Sequence, residues 1–461
     1  MTRKIYNVKD LGPGDGGKGG VVQKIAQMTH AHTIVKVGGA QGSHGVCTSA
    51  GERFAFSQWG CGTFEGARTH LSDLIVISPE GLLNEADALR YQCGIHNPFD
   101  LLTVDQQALC ATPYHGIASR LKEMARGSNP RGTIGTGVGE AYRALQQFPD
   151  LAIYARDLSR ADLRDLLIAV RKQIIQDLIP VLQGNFLPED QAEVNKESDL
   201  LYDEDFLNFI VRRFSEVSKK ARIVDHEFLG REILSQDGVV VVESSHGILT
   251  DHFAGFHPHT SAIRTLPCFT QAMLEEAGYR GKIVNIGVTR AYQIRHGAGP
   301  MPTADPTMTE TLLPGSHKKE NRYQGKVRVG PLDLVLLRYA INVCGGPTAF
   351  DGLAVTWFDQ IRTNRVWHLC NHYHGADDQR YFTPTGELRV RRGDDEAQLV
   401  YQEALGQQLL RCTPEIETQA IYEDATREQL YKQCADTLNK RLGTPVHLVS
   451  FGQTEQDKVC E

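Results

Sequence analysis

Asp10-Leu11-Gly12-Pro13-Gly14-Asp15-Gly16-Gly17-Lys18-Gly19-Gly20 is a glycine-rich turn between two patterned segments. Ile5 to Val8 before it can end a strand, and Val21, Val22, Ile25 and Ala26 after it recur at helical spacing. Such a turn opens backbone N–H groups at the positive end of a helix, where an anion sits well. Lys18 adds a point charge able to reach a phosphate, and Asp15 adds a carboxylate inside the same turn. From Gly12 to Lys18 the letters nearly match G-x-x-x-x-G-K-[ST], but Gly19 stands where the Mg²⁺-binding hydroxyl belongs. An ordinary P-loop is therefore disfavoured. An acid in the loop points to chemistry as well as phosphate cradling, although a plain glycine turn between two elements would give similar letters.

Working outward, the next strand-like run is His32 to Val37, ending in a second glycine turn, Gly38 to Gly45, with Gln41 and His44 inside it. Leu74 to Ile77 and Leu101 to Val104 read as further strands, with a helix-like Glu80 to Tyr91 between them. A third glycine cluster, Gly132 to Gly139, follows. Alternating strands and helices predict an α/β fold, a mostly parallel central sheet with helices on both faces. Three glycine turns after strands would then share the carboxyl edge of one sheet, where open α/β folds bind ligands. An acid and a histidine on neighbouring turns suit general acid–base work near neutral pH.

From residue 162 to 220 the pattern becomes helical: Leu163, Leu166, Leu167, Val170 and Ile174, then Phe206, Phe209, Ile210 and Phe214. The acidic stretch 184–204 between them reads as a loop, and the whole as a helical insertion packed on the sheet of one domain spanning 1–461. Gly238 to Glu243 and Lys282 to Val288 return to buried strands, separated by a polar, histidine-rich loop, 244–265. Residues 331–343 predict a helix with Pro331 at its first position and Gly345-Gly346 beyond its end. Strands are expected at 353–357, 366–372 and 446–451, and a helix at 427–442.

The chain has 461 residues, 41% hydrophobic and 23% charged, with net charge −7. That is the composition of a globular protein with a sizeable core. No Lys/Arg block supports nucleic-acid or membrane-surface binding, and no apolar stretch approaches the roughly 20 residues of a spanning helix. Ten cysteines without a C-x-x-C pair suit reduced thiols in a cytoplasmic protein. Two histidine groups raise the question of metal. His246, His252, His257 and His259 match no common zinc spacing, and a polar loop over a site explains them equally. His368, Cys370, His372 and His374 alternate along a strand and so share one face, which a half-buried strand also produces.

Taken together, the motifs resemble the adenylosuccinate synthetase family, whose members join L-aspartate to a 6-oxopurine nucleotide using a nucleoside triphosphate. Gly14 to Gly19 is similar to G-D-E-G-K-G, Gly38 to His44 to G-G-x-N-A-G-H, and Gly132 to Gly139 to G-T-T-x-x-G-I-G. Arg295 to Thr303 is close to R-V-G-A-G-P-F-P-T, Thr356 to Asp359 stands at T-K-L-D, and Ser450 to Gly452 at S-T-G. The order holds from residue 5 to residue 453, almost the whole chain.

The resemblance implies that Asp15 takes the purine N1 proton while the γ-phosphoryl group passes to O6, with Lys18 steadying that group. It makes His44 the general acid on the leaving diphosphate and puts His246 beside the reacting centre. Gly14, Gly16, Gly17, Gly19, Trp357, Asp359, Ser450 and Gly452 would bind the triphosphate nucleotide. Gln41, Thr133, Ile134, Thr260, Ser261, Arg295, Lys326 and Arg328 would bind the acceptor nucleotide and aspartate. Asp15 and Ser43 would hold Mg²⁺, and the family implies a homodimer.

The departures are specific. Glu243-Ser244-Ser245-His246-Gly247 stands for E-G-A-Q-G, so His246 replaces a glutamine. Ile134 replaces a phosphate-binding threonine, Gln41 an asparagine, Trp357 a lysine and Gln453 a proline. A partner-subunit arginine expected beyond Tyr142 has no match. Residues 322–330 keep two cations of the aspartate-binding motif but not its threonines. Asp359 suits guanine and Trp357 suits adenine, so both GTP and ATP remain open as donors. A paralogue acting on (d)GMP with ATP, as the phage-type 2-aminoadenylosuccinate synthetase does, and a catalytically inactive nucleotide-binding regulator are the alternatives.

Overall fold

The computed structural model describes residues 3–314 and 322–461. Its centre is an 11-stranded sheet. In chain order its strands are β1 (Lys4–Asp10), β2 (Thr33–Gly39), β3 (Arg68–Ile77), β4 (Leu102–Asp105), β5 (Leu109–Cys110) and β6 (Arg222–Val224). They continue with β7 (Val239–Gly247), β8 (Ile283–Arg290), β9 (Gly352–Thr356), β10 (Val446–Ser450) and β11 (Lys458–Cys460). The spatial order is β11-β10-β9-β8-β1-β7-β2-β3-β4-β6, with β5 beside β3. Every pairing is parallel except β10 with β11.

Valine and isoleucine runs buried on both faces are what such a sheet requires. Val8, Ile34 and Val241 pack with the helices Lys18–Thr29 (α1), Pro79–Cys93 and Pro113–Met124. Ile5, Val35, Val240 and Val242 pack on the opposite face, with residues 228–234 and the helix Pro267–Glu276. The expected α/β architecture with helices on both faces is what forms. A separate apolar cluster fills the C-terminal side, where Leu353, Val355 and Val449 meet the helices Leu334–Val343 and Arg427–Leu442. Among the described residues no helix is long and apolar enough to cross a membrane.

Three local expectations are corrected. The acidic stretch 184–204 is not all loop: Gln191–Leu200 is helical, with Val194 and Glu197 buried, and it packs on the helix Pro113–Met124, whose Arg120 donates to Glu197. The helix expected from Pro331 starts at Leu334, because the Asp333 side chain accepts from Leu336 N and caps it there. Finally, His368, Cys370, His372 and His374 do not share a face. A register shift between Cys370 and His372 buries Cys370 completely while His372 and His374 stay exposed.

Candidate active site

The carboxyl ends of β1, β2, β7, β8 and β9 converge, and glycines let their loops touch. A Cβ on Gly19 would lie 2.6 Å from the Gly45 carbonyl oxygen, and one on Gly247 would overlap the Gly12 carbonyl. Leu249 N donates to Gly12 O at 3.1 Å, and Thr356 Oγ1 donates to Gly16 O at 2.6 Å. The loops therefore form one rigid rim rather than three independent turns. Gly17, at φ 86, begins α1 with no side-chain cap, and Gly137, at φ 85, does the same for the helix Val138–Gln147. Both helices thus turn uncapped N–H groups toward the rim, as an anion site requires.

Asp10 organises the first loop from below, and the sequence reading passed over it. Its completely buried carboxylate accepts from Gly12 N at 2.9 Å, Gly16 N at 2.8 Å and Lys18 Nζ at 3.0 Å. Lys18 is likewise buried. Its ammonium, expected to reach outward, is anchored inward by this ion pair. Asp15 sits above, at φ 59, with its carbonyl held by Arg290 Nε at 2.6 Å and its Oδ2 3.1 Å from His296 Nε2.

On the neighbouring loop His44 meets Glu243 of β7. Glu243 Oε1 accepts from Lys36 Nζ at 2.8 Å, His44 Nδ1 at 2.6 Å and Cys61 Sγ at 3.2 Å, and Oε2 accepts from Cys61 N at 2.9 Å. Burial alone would raise the Glu243 pKa, but Lys36 and His44 hold it well below the usual carboxylate range. Burial, then the nearby Lys18 charge, lower the His44 pKa, with Glu243 opposing. His44 Nε2 faces Ser245 O at 3.1 Å. His246, next along, is pushed down to about 3 by burial and then by Lys18, so it is a neutral imidazole. Its Nδ1 contacts Ser245 Oγ at 3.0 Å.

The other rim comes from later in the chain. The hairpin Gln293–His296 with Val327–Gly330 pairs Arg295 with Arg328. Arg295 Nη2 donates to His259 O at 3.1 Å, while its buried Nε has no hydrogen-bond partner. Burial, then Arg328, bring its pKa down to about 9. Arg328 itself donates to the Gly297 and Gly299 carbonyls. Lys326 is exposed. Trp357, at φ 62, follows β9, and the Arg290 guanidinium lies 4.2 Å from its ring centroid. Asp359 follows, one oxygen accepting from Gln360 Nε2 at 2.9 Å, and Ser450 Oγ donates to Gly452 O at 2.9 Å.

The remaining expected residues are placed as follows. Gln41 is half-buried with Oε1 unpartnered, Thr133 Oγ1 lies 2.8 Å from Ser119 Oγ, and Ile134 is exposed. Thr260 Oγ1 lies 3.3 Å from His257 Nδ1, and Ser261 N donates to Thr250 O at 2.8 Å. Ser43 is exposed.

Neither histidine group gathers as a metal cluster; among the described residues the one set of three candidate ligands is His44, Cys61 and Glu243. Nitrogen and thiol donors beside a Lys36 ammonium do not suit Mg²⁺. Asp15 does: its carboxylate is partly exposed at the loop mouth, and Mg²⁺ takes one or two carboxylates together with substrate phosphates. The sequence missed Asp10, Lys36, Cys61, Arg290 and His296. A charged residue inside an otherwise apolar strand was the available signal for Lys36.

A family model described as adenylosuccinate synthetase matches residues 11–459. The chain is 26% identical over 382 residues to adenylosuccinate synthetase of Leuconostoc citreum, across 81% of this chain and 82% of the relative. It is 25% identical over 459 residues to that of Caldicellulosiruptor bescii, across 97% of each. Fully ligated adenylosuccinate synthetase from Plasmodium falciparum shares the fold with a TM-score of 0.75 at 17% identity, covering 99% of both chains. Succinoaminodeoxyadenylate synthetase of cyanophage S-2L, solved with dGMP and with dATP as energy donor, gives 0.54 at 14%, covering 100% and 96%.

Proposed function

The chain belongs to the adenylosuccinate synthetase family of C–N ligases, and from that premise we propose that it condenses L-aspartate with an IMP-like 6-oxopurine nucleotide. GTP or ATP drives the reaction through a 6-phosphoryl intermediate. The observation that carries this reading is the rim itself, where Asp15 and a Glu243-bound His44 stand on touching loops above an uncapped helix N-terminus.

In the first step the Asp15 carboxylate takes the proton from N1 as O6 attacks the γ-phosphorus. The O6–P bond forms, the bond to the β-phosphate oxygen breaks, and negative charge moves onto the diphosphate. His44, its Nδ1 fixed on Glu243, serves that leaving oxygen, while the α1 N–H groups neutralise the rest. In the second step the aspartate amine attacks C6, the C6–O bond breaks, and phosphate departs with the proton the amine gives up; Arg295 and Arg328 orient the aspartate carboxylates. Positioning and charge neutralisation carry most of the catalysis in phosphoryl transfer. Mg²⁺ held by Asp15 would supply charge neutralisation on the triphosphate.

A second reading, a paralogue acting on (d)GMP with ATP, draws on Ile134 and on Trp357 stacked under Arg290. Retention of Asp15 favours the first. A regulator without turnover would not need an acid and a histidine poised together.

The test incubates the protein with Mg²⁺, L-aspartate, GTP or ATP, and each of IMP, GMP, dGMP and XMP, following phosphate release and product spectra. Phosphate release without aspartate dependence would mark a plain NTPase and end the ligase reading. Asp15→Asn should lower turnover by about 10²–10⁴-fold, because the base acts on the transition state. Normal turnover in that variant removes Asp15 from the mechanism.

A further inference from the structure

His296 Nε2 lies 3.1 Å from Asp15 Oδ2. At that separation a ring lone pair would oppose the carboxylate charge, so the contact calls for the hydrogen on Nε2. The imidazole is half-buried, and its Nδ1 has no hydrogen-bond partner, so the Asp15 contact is the one that fixes the ring. Asp15 needs fixing. At φ 59 it occupies a left-handed conformation that costs an aspartate free energy and persists only where surroundings hold it. Arg290 Nε holds its carbonyl and Thr356 Oγ1 holds the next carbonyl, Gly16 O, so β8 and β9 secure the backbone. The side chain reaches the hairpin that carries Arg295 and Arg328, through His296.

Successive strand residues point to opposite faces. Arg295 accordingly reaches His259 O on one side, while His296 reaches the glycine loop on the other. The family motif that this hairpin resembles has valine where His296 stands, and valine cannot donate.

We infer that His296 is a positioning residue: its Nε2–H aims the Asp15 carboxylate and ties the loop that carries the acid to the hairpin that carries the two arginines. The inference deepens the ligase reading and rests on it. A displaced catalytic group loses rate rather than binding, so the contact should show in kcat.

The experiment compares wild type, His296→Val, His296→Gln and Asp15→Asn under the aspartate-dependent assay. His296→Val should lower kcat about tenfold with KM for purine nucleotide and aspartate within about twofold. His296→Gln, whose amide keeps a donor at similar reach, should recover kcat to within about threefold of wild type. Triphosphate affinity by calorimetry and the thermal midpoint should match wild type in both variants. Wild-type kcat in His296→Val overturns the inference, and so does a His296→Gln variant as impaired as valine. Wild-type protein that forms no aspartate-dependent product fails the ligase reading itself. Active wild type with a dead Asp15→Asn and an unaffected His296→Val fails only the inference.

Discussion

The two rims of the site solve the problem of buried charge in opposite ways. On the rim built from β1, β2 and β7, the two buried cations beside the glycine loops each have a carboxylate: Lys18 has Asp10, and Lys36 has Glu243, which also holds His44, while Lys9 of β1 turns away to Thr270. On the rim built from the hairpin and β9, among the described residues Arg295 and Arg328 reach only carbonyl oxygens. Arg290 reaches a carbonyl, a hydroxyl and the face of Trp357. The first rim is complete without ligand and is therefore preorganised. The second carries positive charge that, in the proposed reaction, an anionic substrate completes.

The largest expected effect breaks the first rim. Glu243→Ala removes the acceptor shared by Lys36, His44 and Cys61 and leaves a buried ammonium unpaired. Breaking a buried pair from one side costs about 3–5 kcal/mol, so urea unfolding should show a loss of that order together with lost turnover. A loss under about 1 kcal/mol would mean that Lys36 finds another partner and that the rim is not held by Glu243.

The counterpart on the second rim should behave differently. Arg295 already lacks a carboxylate and carries an orphaned Nε, so Arg295→Ala removes a penalty along with its packing. Stability should change by no more than about 1 kcal/mol, whereas KM for aspartate should rise at least about tenfold. Steady-state kinetics beside a urea melt reads both quantities. A variant that unfolds as readily as Glu243→Ala would erase the contrast between the rims.

The same contrast explains what the sequence could tell. Glycine turns at 12–20, 38–45 and 132–139 are legible because close backbone approach admits little else, as at Gly19 against Gly45 O. Parallel strands such as Val239–Gly247 are legible as apolar runs. Long-range partners are not. Asp10 and Lys18 are eight residues apart, but His44 meets Glu243 across 199 and Asp15 meets Arg290 across 275. β1 was hard to read because Asn7, Lys9 and Asp10 are polar yet buried, each with its own partner: Asn285, Thr270 and Lys18. The helix Gln191–Leu200 was hidden because one of its two buried residues is an acid, Glu197, paired with Arg120.

The smallest expected effect tests how far the paired rim extends. His246 lies at the end of β7, where burial and Lys18 keep its imidazole neutral with a pKa of about 3. Its unfolded value is about 6.5, so between those limits the unfolded chain binds more protons than the folded one. Stability from this group is fully present above pH 6.5 and drains away as the pH falls toward 3. With the ring half-buried, the loss between pH 6.5 and pH 5 should be about 1 kcal/mol. His246→Gln puts a non-titrating amide in its place, so its unfolding free energy should fall less steeply than that of wild type across that window. Parallel curves would show that Lys18 does not bear on His246, and would confine the preorganised rim to Asp10, Lys18, Lys36, His44 and Glu243.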